Sequence, residues 1–249
     1  MTIASLAMYP FEHLRPSWER LWDDVRARLS FAAPPLDWNT DPDDASKRDD
    51  LVLGQTCGWP LVTDLASLVH VVGTFDYAVD DAIDGTYRSV LVTSLDAELA
   101  EILPDILHRP DLRVAVNAPQ SLSGWISLQS VALAHGVTLD DVVWTGAHAR
   151  SLEAIRAGQC HLAAIDAVSW SFLDHAGLRV VGQCPRIPCL PLVTSRSSSL
   201  AVVDELRGAL ASAVSDPAAA TTCATLKIRR FASRQLADYQ GVSELLELG

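Results

Sequence analysis

The sequence predicts an α/β protein of two lobes joined by two hinge crossings. Three observations lead to that expectation. Short apolar runs alternate with amphipathic segments along most of the 249 residues, the pattern of strands joined by helices with mostly parallel sheets. Hydroxyl-bearing turns recur where a strand gives way to a helix, at Gln55–Gly58, Ser121–Gly124 and Thr145–Ser151. Two extended segments, near Leu91–Thr93 and Pro191–Thr194, stand where the chain would cross between lobes. They divide it into lobe 1 (residues 1–93 plus 191–249) and lobe 2 (residues 94–190), with a ligand cleft between the lobes.

The elements follow in order. Ile3–Tyr9 alternates and reads as a strand. The segment from Ser17 to Ser30 carries Trp18, Leu21, Trp22, Val25 and Leu29 at helical spacing, with Ser17 as its N-cap. The polar stretch Asp37–Asp50 reads as a loop or short helix. "LVLGQTCGWPL" is strand, turn and helix; Ser67–Phe75, Thr86–Ser94, Asp111–Asn117, Asp141–Gly146 and His161–Asp166 are strands. Helices follow Gly124 and span about His148 to Ala157. Leu178–Cys184 and Cys189–Ser195 are extended, and from Ser198 the chain turns helical to its end, the last helix covering Ser233–Leu248.

Composition narrows the function. Hydrophobic residues make up 49% and charged residues 20%, a globular balance. The net charge of -12 and pI of about 4.8 argue against a nucleic-acid partner, whose footprint is basic. No run of about 18 apolar residues predicts a membrane span, and the first residues lack the basic-then-apolar order of an export signal. The expected location is cytoplasmic as written, or periplasmic if a leader is removed. Five cysteines without a CxxC pair suggest neither a zinc site nor a disulfide framework, and the seven histidines show no metal spacing. No metal or cofactor is expected.

The turns carry the candidate chemistry. The first N–H groups of a helix have no intrahelical acceptor, and the helix dipole favours negative charge there. Ser121 and Ser123 add hydroxyls, and Gly124 lets a ligand approach the backbone, so the turn suits an oxyanion; alone, it reads first as an ordinary serine N-cap, which needs no ligand. The turns with Gln55, Thr56 and Cys57 and with Thr145, His148 and Ser151 repeat the arrangement. Tyr87 offers a phenol at the start of a strand. Asp166 ends another, either as a helix N-cap or as an acceptor for a protonated oxyanion or a ligand amine. His148 is a donor to the ligand or a solvated helix residue, and Cys57 is a candidate nucleophile at a helix N-terminus.

With these residues in place the chain resembles the phosphate/phosphite/phosphonate-binding type of ABC-transporter substrate-binding proteins. The matching stretches, in order, are "MYP", "LVLGQTCGWPL", "GTYRSVLV", "AVNAPQSLSGW", "TGAHARSLEAIRAGQCHLAAID" and "PRIPCLPLVTS". The resemblance implies a two-lobed type II periplasmic-binding fold that closes on a small oxyanion, with an ABC permease as partner. By position it assigns Ser121 and Ser123 to the phosphoryl oxygens, Tyr87 and His148 to hydrogen bonds from the walls, and Asp166 to a protonated or amino group. Tyr9 and the Gln55–Cys57 turn would contribute from the first lobe. Two other functions fit the same architecture. One is an enzyme like those of thiamine-related or menaquinone pathways, using Cys57 or a His148/Asp166 acid–base pair; the other is a ligand sensor.

Overall fold

A computed structural model describes residues 2–95 and 102–246. Its strands are β1 (Ile3–Ser5), β2 (Leu51–Gln55), β3 (Val69–Tyr77), β4 (Thr86–Tyr87), β5 (Ser89–Ser94) and β6 (Val114–Val116). They continue as β7 (Val142–Trp144), β8 (Leu162–Asp166), β9 (Leu178–Gln183), β10 (Ile187–Pro188), β11 (Pro191–Ser195) and β12 (Ile228–Ser233). The chain divides into two compact units, one of Met1–Ala78, Ala82–Thr86 and Pro188–Gln240, the other of Val79–Asp81, Tyr87–Ile187 and Gly241–Gly249. The chain changes unit within β4 and within β10. Leu91–Thr93 and Pro191–Thr194 are extended, but they lie inside β5 and β11.

The first unit is built on a five-stranded sheet in the order β1-β2-β11-β3-β12. β1 and β2 are parallel, and β11 runs antiparallel to both β2 and β3. β1, β2 and β3 therefore share a direction and end at one edge, at Ser5, Gln55 and Tyr77. The Arg15–Arg26 helix buries Trp18, Leu21, Trp22 and Val25, and the Trp18 ring lies 5.9 Å from that of Phe75 in β3. Its N-cap is Leu14 rather than Ser17. Pro16 sits in the first turn, where its missing N–H and fixed φ cost nothing, and this moves the start ahead of the serine.

The second unit has the order β7-β6-β8-β5-β9. β6 is parallel to β7 and β8, while β5 is antiparallel to β8 and β9. Leu91, Val114, Val116, Leu162 and Ala164 pack on one face with Leu128, Val131 and Ala132 of the Ser127–Ala134 helix. Val92, Ala115, Ala163 and Ile165 pack on the other with Leu152 and Ile155 of the His148–Arg156 helix. Each strand contributes alternate residues to the two faces, as a sheet covered on both sides requires.

Three expectations need correction. Both sheets are mixed rather than mostly parallel, because β5, β11 and β12 enter against their neighbours. The Thr86–Ser94 run breaks at Arg88 into β4 and β5; Arg88 turns out to bind Asp81 at 2.9 Å and the Cys184 carbonyl at 3.0 Å. The tail is not all helical. After helices at Leu200–Ser215 and Ala220–Thr225, β12 pairs antiparallel with β3, and a 3-10 helix spans Leu236–Leu246. Adjacent Arg229 and Arg230 interrupt the apolar alternation of β12, which hides it as a strand. The expected helix positions Glu247 and Leu248 lie outside the described residues.

Those arginines have a partner in the buried carboxylate of Asp76 in β3. It accepts the Gly85 N–H at 3.2 Å and meets Arg230 Nε at 3.0 Å and Arg229 Nη1 at 3.6 Å. Removing it leaves the Gly85 N–H without its acceptor and takes a partner from both arginines, of which Arg230 keeps Asp84 at 2.8 Å. Asp76→Ala is expected to lower stability by about 2 kcal/mol, read as a lower urea midpoint; an unchanged midpoint would show that solvent replaces the carboxylate at no cost.

Candidate functional site

In each unit the polar residues named from the sequence gather at the edge where parallel strands end, the edge at which α/β sheets take ligands. In the second unit, Ser121 caps the segment after β6. Its backbone is extended and its Oγ accepts the Gly124 N–H at 3.0 Å. The chain continues as a π-helical turn, Leu122–Ile126, and then as the Ser127–Ala134 helix. A Cβ on residue 124 would lie 1.9 Å from Asn117 Oδ1, so a larger residue there would force the Asn117 side chain to move.

Three side chains from three strand ends meet there. Ser123 Oγ lies 3.4 Å from His148 Nε2, and the same nitrogen lies 3.3 Å from Asp166 Oδ2. Asp166 also caps the Ala167–Trp170 helix, its Oδ1 accepting the Ser169 N–H at 2.8 Å. Both Ser123 and Asp166 are buried, and the His148 side chain is 11% exposed. Burial pushes the His148 pKa below the usual imidazole value, and the neighbouring Asp166 carboxylate opposes that shift without reversing it. The imidazole is therefore neutral near pH 7. Its proton belongs on Nε2, because a ring lone pair facing a carboxylate is repelled. With Nε2–H directed at Asp166, the Ser123 hydroxyl keeps its own hydrogen to donate elsewhere.

This is not the geometry of a catalytic relay. In a Ser-His-Asp triad the serine and the carboxylate engage opposite ring nitrogens; here both engage Nε2. Thr145 and Ser151, in the same turn, are occupied with each other at 2.7 Å and with the Val116 and Ala147 carbonyls. Their work is to hold the loop. Tyr87 is buried in β4.

The first unit shows a similar edge. Gln55 ends β2 and donates through Nε2 to the Tyr77 hydroxyl at 3.2 Å. The Tyr9 ring meets the Tyr77 ring edge-on at 5.8 Å. Cys57 is the extended N-cap of the Gly58–Pro60 turn and, like the other four cysteines, is buried and not in a disulfide. Gln55 Oε1 and Thr56 Oγ1 are buried without a hydrogen-bond partner, as is Ser5 Oγ at the end of β1. The second unit adds such atoms at Asn117 Oδ1, Ser89 Oγ and, within the site itself, His148 Nδ1. Ser5 and Asn117 were not among the expected site residues, and Ser89 was expected beside Tyr87 at the start of a strand without a ligand role. Their signal was positional, since Ser5 and Asn117 stand at the end of an apolar run and Ser89 at the start of one. Among the described residues no group of three or more His, Cys, Asp or Glu side chains could hold a metal ion, and no described helix is long and apolar enough to cross a membrane.

A family model for ABC-transporter phosphonate periplasmic substrate-binding proteins matches residues 63–239. The chain belongs to that family. Solved structures agree on the fold. A binding-protein component of an ABC phosphonate transporter from Pseudomonas aeruginosa superposes with a TM-score of 0.76 at 16% identity, over 98% of this chain and 84% of that one. PhnD1 from Prochlorococcus marinus, in complex with methylphosphonate, gives 0.72 at 14% identity over 98% and 96%. XAC2383 from Xanthomonas citri, bound to ATP, gives 0.71 at 14% over 99% and 95%. No curated protein matches the sequence. The fold is the type II periplasmic-binding fold, and the role of this family member is solute binding. Membership favours neither the Cys57 nor the His148/Asp166 enzyme.

The buried imidazole makes stability depend on pH. Unfolded, His148 protonates near about pH 6.5; folded, it resists the proton. Below that pH the unfolded chain binds the extra proton, so the stability this group confers is full above about pH 6.5 and falls with acidification until the lowered folded pKa is reached. His148→Gln should flatten the fall in denaturation midpoint between pH 7 and the onset of acid unfolding. An identical slope in the variant would place the titration elsewhere.

Proposed function

We propose that the second unit binds a small phosphorus oxyanion, phosphonate- or phosphate-like, and delivers it to an ABC permease without transforming it. The observation that supports this most is the meeting of Ser123, His148 and Asp166 at the start of the helical segment after β6. Hydroxyls of Ser121, Ser123 and Tyr87 supply neutral donors for phosphoryl oxygens. His148 holds Asp166 beside them, and that carboxylate accepts a hydrogen from a protonated phosphoryl oxygen or from a ligand ammonium. Tyr9, Gln55, Thr56 and Cys57 form a second set of candidate contacts at the strand ends of the first unit.

Chemistry sets the ligand's charge state. A carboxylate among the donors repels a fully ionised group and welcomes one that retains a proton. Affinity for a simple phosphonate should therefore fall as pH rises through the ligand's second ionisation, and sulfate, which keeps no proton near neutrality, should bind more weakly.

The test is thermal unfolding and titration calorimetry with phosphate, phosphite, methylphosphonate, aminoethylphosphonate and sulfate. A ligand at about 100 times its dissociation constant stabilises by about 2.7 kcal/mol, a clear rise in Tm. The combined Ser121→Ala and Ser123→Ala variant is expected to lose at least about tenfold in affinity. No shift with any phosphorus compound, or undiminished affinity in the double variant, would overturn the proposal.

A further inference from the structure

We propose that Ser89, at the start of β5, is a further ligand-binding residue of this site, donating its hydroxyl to the bound oxyanion. The inference rests on the oxyanion reading above and adds to it a residue that neither the motifs nor the family resemblance assigns.

Three observations converge on Ser89. It stands directly opposite Asp166 in the antiparallel β5–β8 ladder, and directly opposed residues project their side chains to the same face. That face is the one of Leu91 in β5 and Ala164 in β8, which pack with Leu128 of the helix that follows Ser123. Ser89 is thus placed beside the Asp166 carboxylate, on the side where the serine turn closes over the sheet. It is fully buried, at 0% exposure. Its backbone carbonyl is used, accepting the Cys184 N–H at 2.8 Å, but its Oγ has no hydrogen-bond partner.

A buried hydroxyl without a partner is a cost to the fold, because it has given up water and gained nothing. Alanine would fill the same position without that cost. Such a group at a ligand edge, next to a carboxylate that also faces the site, is accounted for if its partner arrives with the ligand. Its loss would then divide two properties that normally move together. Stability of the ligand-free protein should hold or improve, while affinity falls.

The experiment compares wild type, Ser89→Ala, Ser89→Cys and the Ser121→Ala/Ser123→Ala double variant, each as the full chain, by ligand-free Tm and by calorimetry with methylphosphonate and phosphate. The expected result is about a tenfold loss of affinity in Ser89→Ala, with a ligand-free Tm equal to or above that of wild type. Ser89→Cys, similar in size but a poor donor, should lose affinity in the same way. Unchanged affinity in Ser89→Ala, while the double variant fails to bind, would overturn the role of Ser89 and leave the oxyanion reading standing. A ligand-free Tm lowered in step with affinity would make the hydroxyl a support of the fold and overturn it as well. Full affinity restored by cysteine would assign the effect to packing. Absence of binding in wild type would remove both the reading and the role.

Discussion

The contact between His148 Nε2 and Asp166 Oδ2, at 3.3 Å, ties three strand ends of the second unit together. Ser123 reaches it from the turn after β6, His148 from the helix after β7, and Asp166 from the last position of β8. Each position follows from a local rule. Asp166 and Ser121 are helix caps, and His148 opens a helix. The mixed sheet then brings the ends to one edge, since β6, β7 and β8 run in parallel. Burial keeps the imidazole neutral, which leaves Asp166 the charged member of the group and the serine free to donate.

This resolves how a chain of net charge -12 can be built for an anion. Five cations of the second unit are engaged elsewhere: Arg88 and Arg186 hold Asp81, Arg109 holds Asp111, Arg113 holds Asp141, and Arg156 binds the Asp174 and Ala176 carbonyls. The groups that meet at the strand ends are hydroxyls, a carboxylate and a neutral ring. Dipoles of this kind act at contact distance, where a hydrogen bond in a site shielded from water is stronger than in bulk, whereas the charge of the whole molecule is screened within about 10 Å at ordinary ionic strength. Under the proposed function, the selectivity would be for protonation state and shape rather than for charge alone.

Much of this was legible in the sequence. Apolar runs located β2, β3, β5, β6 and β8 to within a few residues, because strands buried on both faces are nearly continuous in hydrophobicity. The residues Ser121, Ser123, His148 and Asp166 were named from turn chemistry, and the structure brings them together; their ligand role remains the proposal tested above. What could not be read depends on distant pairing. β12 was concealed because Arg229 and Arg230 find their partners, Asp76 and Asp84, about 150 residues earlier in the numbering. The mixed order of the sheets is equally non-local. Ser89 and Ser5 are ordinary strand serines in one dimension, and only burial without a partner sets them apart.

Hydrogen–deuterium exchange with and without saturating methylphosphonate tests the central claim most directly, since it reads where the ligand acts without altering a residue. The expected result is slower exchange in peptides covering Asn117–Ser127, Thr145–Ser151 and Ile165–Ser169. Protection confined to the arginine-bearing surface around Arg109 and Arg113, or no protection anywhere, would contradict it.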